Sequence, residues 1–242
     1  VGAWLIAIFL GAVPFLLTGD YTLTQALFES TSGWTNTGLS VVDVATAPRL
    51  LLLHRSSMHF FGGVGLVLVM VSVLPDRRGM RLYTAEGHAD RLLPNLLHSS
   101  RLILTIYAGI ILVGFLLYLL FGMPWFDALN HSIAAVATGG FSTQPDSIGH
   151  YHSFAIELIT ILLMILGNIS FFAHLQLLRG KFRLVEQYCE IRFTCFLLLL
   201  FVPLLALLLF HTVAPSWGES FRLALFQTVT AFSTTGFQTV PQ

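Results

Sequence analysis

Five apolar runs restrict this chain to one broad class of fold. They are Val1–Leu17, Met58–Leu74, Leu102–Phe121, Phe154–Leu178 and Phe193–His211. A helix needs about 20 mostly apolar residues to cross the hydrocarbon core of a bilayer, and each run reaches or approaches that length. Only 10% of the 242 residues are charged and 55% are hydrophobic. A soluble domain carries roughly 25% charged residues, so lipid must cover much of this surface. With every backbone polar group satisfied inside the chain, the expectation is an all-α polytopic membrane protein.

The basic residues give an orientation. Nine of the twelve Lys and Arg residues fall in two loops, Pro75–Arg101 and Arg179–Arg192. An excess of positive charge marks cytoplasmic loops, so both are expected inside. Only Arg49, Arg55 and Arg222 lie elsewhere. The chain must therefore leave and re-enter from the outside between the first and second runs, and again between the third and fourth. Each outer connection holds an apolar segment too short to cross, Leu23–Trp34 and Trp125–Ala137, and a third, Ser220–Phe232, follows the fifth run. Segments of this length suit re-entrant helices. Irregular backbone at their ends is tolerated only where it is buried in protein or lines a watery cavity.

The three short segments repeat one another. Aligned on Gly38, Gly140 and Gly236, they lie 102 and 96 residues apart. Twelve positions before each glycine stand Ala26, Ala128 and Ala224, followed by Leu27, Leu129 and Leu225. Small residues recur five positions before it, as Gly33, Ala135 and Ala231. The cores read Thr35-Asn36-Thr37-Gly38-Leu39, Ala137-Thr138-Gly139-Gly140-Phe141 and Ser233-Thr234-Thr235-Gly236-Phe237. A single Thr-Gly string after a helix is usually no more than a helix C-cap. Three in register, each between apolar runs, indicate a repeated unit.

These residue types suit a cation that must exchange water for protein oxygens. Backbone carbonyls arranged about an axis can supply those oxygens. Glycine accepts φ > 0 and has no Cβ in the way, and small hydroxyl residues can hydrogen-bond nearby backbone. Each short helix would aim its partly negative C-terminal end at the site. No carboxylate occurs in the three cores. The ion-binding candidates are therefore the backbones of Thr35, Asn36, Thr37, Gly38, Ala137, Thr138, Gly139, Gly140, Ser233, Thr234, Thr235 and Gly236.

With these motifs in hand, the chain resembles the Trk/Ktr/HKT cation-transporter superfamily, most nearly its bacterial TrkH-type potassium-uptake branch. Leu27-Phe28-Glu29-Ser30 to Gly38 is similar to the first pore loop and Gly62-Gly63-Val64-Gly65 to the helix after it. Gly79 to Glu86 is similar to the first cytoplasmic linker, and Ala137 to Thr143 to the second filter. Ser170-Phe171-Phe172-Ala173-His174 resembles the end of the second post-filter helix, and Ser233 to Phe237 the third filter. The resemblance implies one chain with four membrane–pore-loop–membrane units about a pseudo-fourfold axis. Three are expected here: 1–78, a linker at 79–98, 99–180, and 181–242 truncated after its filter. It also implies potassium as the transported ion, since a serine in place of the first filter glycine accompanies sodium transport and Gly38 stands there; a sodium or non-selective monovalent cation transporter of the same fold is the alternative. A cytoplasmic nucleotide-binding regulatory subunit, a homodimer and a multi-pass place in the bacterial inner membrane are implied in the same way. Asn36 departs from the threonine common at its position, and Asn168 from the usual small residue. The chain starts inside an apolar run without a signal-peptide pattern and stops soon after Gly236, so it is expected to be a piece of a longer protein.

Other residues carry weaker signals. Glu29 and Asp127 lie on the first two short helices, where Asp127 suits a helix N-terminus by its charge alone. Asp20, Asp43 and Asp146 are expected on the outer side, where acidic groups concentrate cations or are merely solvated. Arg55, near an outer membrane edge, needs a partner, and Glu29 is the candidate. His54 with His59, or His150 with His152, lacks a completing carboxylate or cysteine for a transition metal. His174 reads as an interfacial or packing residue. Cys189 and Cys195 read as two packed thiols. No Walker loop, HExxH or nucleophile–His–Asp set is present, and the net charge of zero suggests no nucleic-acid partner. The chain is read as a transporter without enzymatic activity or cofactor. An enzyme acting on an anionic or lipid substrate would have to use Asp127, Asp146 or His131, which do not repeat. A carrier with broken helices would show inverted repeats, whereas these units run in one orientation.

Overall fold

A computed structural model describes residues 2–65, 96–178, 180, 189–210, 212–213 and 216–240. Most of the described residues are helical. The helices are α1 (Gly2–Thr18), α2 (Leu23–Trp34), α3 (Arg49–Val64), α4 (Leu96–Leu120), α5 (Trp125–Val136), α6 (Phe154–Asn168), α7 (Phe171–Leu178), α8 (Cys189–Leu209) and α9 (Trp217–Phe232), with a 3₁₀ turn at Ser147–Tyr151. Residues 66–74 of the second apolar run, most of loop 75–101, the linker 79–98 up to Asn95, and most of loop 179–192 lie outside the described residues.

Two helical stretches, Leu102–Leu120 and Ile191–Leu209, are long and apolar enough to cross a membrane. Gly2–Thr18 and Phe154–Asn168 are apolar but shorter. Their outer faces are unlike a soluble surface: Phe9, Leu10, Leu17, Leu120, Leu199 and Leu208 are all exposed. So many exposed large apolar side chains need a non-aqueous neighbour.

The short helices α2, α5 and α9 are separate elements with their own stops and starts. Thr22 caps α2 in a capping box with Gln25, and the Ser216 side chain accepts from the Glu219 amide at the start of α9. These caps satisfy amides that a helix start leaves without partners. Each short helix packs against the long helix before it, in the pairs α1–α2, α4–α5 and α8–α9. The helix after it packs on it too, as α3 on α2 and α6 on α5. Contacts then pass from one unit to the next, because α3 also packs on α5, and α6 on α9.

Three expectations change. The second run was expected as a helix from Met58, but α3 begins at Arg49 directly after Pro48. Proline's fixed φ and missing N–H suit a helix start. Gly62 and Gly63 allow close approach as expected, whereas Gly65 stops the helix with φ +82°. The fourth run is two helices rather than one. The chain turns extended at Ile169 (φ −80°, ψ 140°), and Ser170 then accepts the His174 amide at the start of α7. Finally, Cys195 is exposed on α8 rather than packed.

Candidate functional site

The chain leaves α2, α5 and α9 through the same turn. Each helix ends in paired hydrogen bonds that close its last carbonyls. The Asn36, Thr138 and Thr234 amides donate to Gly33, Ala135 and Ala231, and the Thr37, Gly139 and Thr235 amides donate to Ser32, Ala134 and Thr230. This is the Schellman arrangement, which places one residue in the left-handed region just beyond the helix. That residue is Asn36 (φ +52°), Thr138 (φ +53°) or Thr234 (φ +57°). Two positions later Gly38, Gly140 and Gly236 are left-handed again, at φ +80°, +75° and +88°. Asn36 therefore has a local reason: asparagine enters this region more easily than β-branched threonine.

The three turns come together. A Cβ added to Gly38 would collide with the Gly139 carbonyl oxygen and lie 3.4 Å from that of Thr235. One added to Gly140 would collide with the Thr235 carbonyl oxygen. Carbonyl oxygens of the second and third turns thus crowd the glycines of the first and second, and glycine is needed there for space as well as for φ. Of the twelve candidate residues, Gly38, Gly139, Gly140 and Thr235 are brought into direct mutual contact. Hydroxyl bonds brace the first and third turns from within. Thr35 and Thr37 share a hydroxyl–hydroxyl bond of 2.7 Å, as do Ser233 and Thr235. The Gly236 amide donates to the Thr230 hydroxyl at 3.1 Å.

Around the turns is a layer of buried polar groups. Arg55 and Glu29, 2% and 0% exposed, form an ion pair at 2.8 Å, as the sequence led us to expect. Arg55 does more than pair. It donates to the Ser40 hydroxyl and the Ser142 carbonyl and lies 4.0 Å from the centre of the Phe141 ring. It therefore joins the first turn to the second. Glu29 also accepts from Ser40 and from the Val41 amide.

Asp127 sits in the first turn of α5, but the helix dipole is not its only partner. Its carboxylate accepts from Thr143, Gln144 and Tyr151, tying the chain beyond the second turn to the helix before it. Burial, and then the Asp127 charge, push the Tyr151 phenol well above its ordinary range. Tyr151 therefore stays protonated and keeps donating. Glu157 of α6 takes Arg222 of α9 through two bonds of 2.6 and 2.7 Å. Glu29 and Asp127 are thus held by protein donors, and the negative field at the turns comes from carbonyls and helix C-termini.

The sequence reading missed the Ser40, Phe141 and Ser142 contacts of Arg55 and passed over His59 except as a metal candidate. The available signal was the cluster Arg55, Ser56 and His59 within an apolar stretch. Intramembrane polar groups of this kind are functional candidates by default. No cluster of three metal-ligating side chains occurs among the described residues.

Comparison with known proteins gives one answer. The chain is 34% identical to the Trk system potassium uptake protein TrkH of Halomonas elongata, over 97% of its own length and 51% of that protein's. It is 36% identical to the Trk system potassium uptake protein TrkG of Escherichia coli, over 69% and 36% of the two lengths. The crystal structure of the potassium transporter TrkH from Vibrio parahaemolyticus matches with a TM-score of 0.85 at 30% identity, covering 98% of this chain and 50% of that one. The chain spans about half the length of the curated TrkH relatives it matches. The family model described as "TrkH: Cation transport protein" matches residues 2–242, and the chain belongs to that family of membrane transport proteins.

Proposed function

We propose that the three turns form part of a potassium-selective filter and that the complete protein takes up potassium. The observation that carries this reading is the crowding of the Gly139 and Thr235 carbonyl oxygens against Gly38 and Gly140. Oxygens held that close, at the C-terminal ends of helices, can replace the water shell of a cation without a carboxylate. Potassium is the substrate here, bound in passing at the backbones of residues 35–38, 137–140 and 233–236. The relatives' names, which are Trk system potassium uptake proteins, support the choice of ion.

Because those relatives are about twice as long, we read the chain as supplying three of the filter's turns, with boundaries at 1–78, 79–98, 99–180 and 181–242. By the same family reasoning the complete protein crosses the bacterial inner membrane several times. It works as a homodimer with a cytoplasmic nucleotide-binding subunit, and it has no enzymatic activity or cofactor of its own. The test is Gly38→Ser and Gly140→Ser in the complete transporter, measuring potassium and sodium uptake side by side. A hydroxymethyl group at either site meets a carbonyl of the neighbouring turn, so the potassium-to-sodium preference is expected to fall. Unchanged preference in both variants would overturn the filter. Sodium preferred by the unmodified protein would overturn the choice of ion.

A further inference from the structure

The three turns share a backbone but not a side-chain support. In the first and third, the residue before the glycine is a threonine whose hydroxyl bonds one two positions earlier, Thr37 to Thr35 and Thr235 to Ser233. The second turn has Ala137 and Gly139 at those places and no hydroxyl at either. Gly139, unlike Gly140, is not among the positive-φ residues, so conformational freedom does not account for it.

The account lies behind it, on α3. A Cβ at Gly139 would lie 2.6 Å from His59 Nδ1 and Cε1 and 2.7 Å from Cγ. The imidazole stands where a Gly139 side chain would go. It is fully buried and stacked on Phe141, with ring centres 4.1 Å apart and planes 19° apart. Neither ring nitrogen has a protein hydrogen-bond partner among the described residues. What the ring meets on both sides is shape: the Gly139 backbone on one and the Phe141 ring on the other. One helical turn on, Gly63 brings the same helix against Ala137, whose Cβ lies 3.0 Å from where a Gly63 Cβ would be. Helix α3 therefore backs the second turn at two points.

We propose that His59 is a specificity-determining positioning residue: its ring takes, behind the second turn, the place that the repeat gives to the side chains of Thr37 and Thr235 in the other two, and so fixes the Gly139 carbonyl. This rests on the filter reading, and the two can fail separately. The fixed carbonyl is the one that crowds Gly38. Without the ring, the Gly139 backbone can relax away from the axis, and the oxygen cage loosens. A looser cage discriminates less between ions of different size.

The experiment uses the complete transporter in membrane vesicles, with potassium and sodium uptake read at equal membrane abundance. His59→Ala is expected to lower the potassium-to-sodium preference by about threefold to tenfold. His59→Phe, which keeps a flat ring in the same space, is expected to hold it. The triple variant His59→Ala, Ala137→Ser, Gly139→Thr installs the hydroxyl pair of the other turns and is expected to recover the preference that His59→Ala loses. It also supplies the reading if His59→Ala fails to reach the membrane. A His59→Ala protein with unchanged preference, while Gly140→Ser shifts it, would overturn the inference and leave the filter standing. Loss in His59→Phe equal to that in His59→Ala would overturn it too, because the nitrogens rather than the ring's shape would then matter.

Discussion

Arg55 and Arg222 each face a glutamate, but burial separates what they contribute. Arg55 and Glu29 are 2% and 0% exposed, so losing one partner leaves a charge with neither water nor counter-charge. Arg55→Met is expected to cost about 3–5 kcal/mol, as for other broken buried pairs. The measurement is thermal unfolding of the purified complete transporter. Glu29→Gln combined with Arg55→Met should recover part of that loss, because no lone charge remains. Arg222 is 34% exposed, and screening reduces its pair with Glu157 to about 1 kcal/mol or less. Asp127→Asn removes an acceptor that serves three donors. An amide can accept at one atom only, so the expected loss is about 1–3 kcal/mol, again by thermal unfolding.

At the scale of elements, two glycines set how close the helix after each turn can come. A Cβ on Gly62 would collide with the Trp34 carbonyl oxygen, and one on Gly167 with that of Val136. Both carbonyls belong to the last residue of the short helix in the same unit. Because backbone cannot move aside as a side chain can, Gly167→Ala is expected to lower the amount of folded transporter sharply. Gly109, in α4, has nothing within 4 Å of an added Cβ. Gly109→Ala should be neutral or stabilising by up to about 1 kcal/mol, from helix propensity alone. Size-exclusion profiles of the two variants in detergent compare them directly. The short helices were legible in the sequence: Leu23–Trp34 matched in full, Trp125–Ala137 to within one residue, and Ser220–Phe232 at its end, though that helix starts earlier, at Trp217 after its Ser216 cap. The break at Ile169 was missed although Gly167, Asn168 and Ser170 bracket it, because stop and start residues inside a long apolar run are outweighed by its length when the run is read as one span.

Across the whole molecule, units are joined by the helix after one turn packing on the short helix of the next, as α3 on α5 and α6 on α9. Polar links follow the same seams: Ser56 donates to Asn130 at 2.5 Å, and Glu157 meets Arg222. Glu157→Arg should weaken the second seam by setting two cations together. Glu157→Arg with Arg222→Glu should restore it, read as coupling in a double-mutant cycle on thermal stability.

The sequence alone determined the helical membrane class and the three repeated turns, because apolar length and Thr/Gly spacing are local properties of the chain. It also offered Glu29 as the partner of Arg55, since so few charges were available in apolar surroundings. Only the tertiary structure decided which carbonyl meets which glycine, and that His59 rather than a threonine stands behind Gly139. Those contacts join residues about 80 to 200 positions apart, and the space they share exists only once the helices have packed.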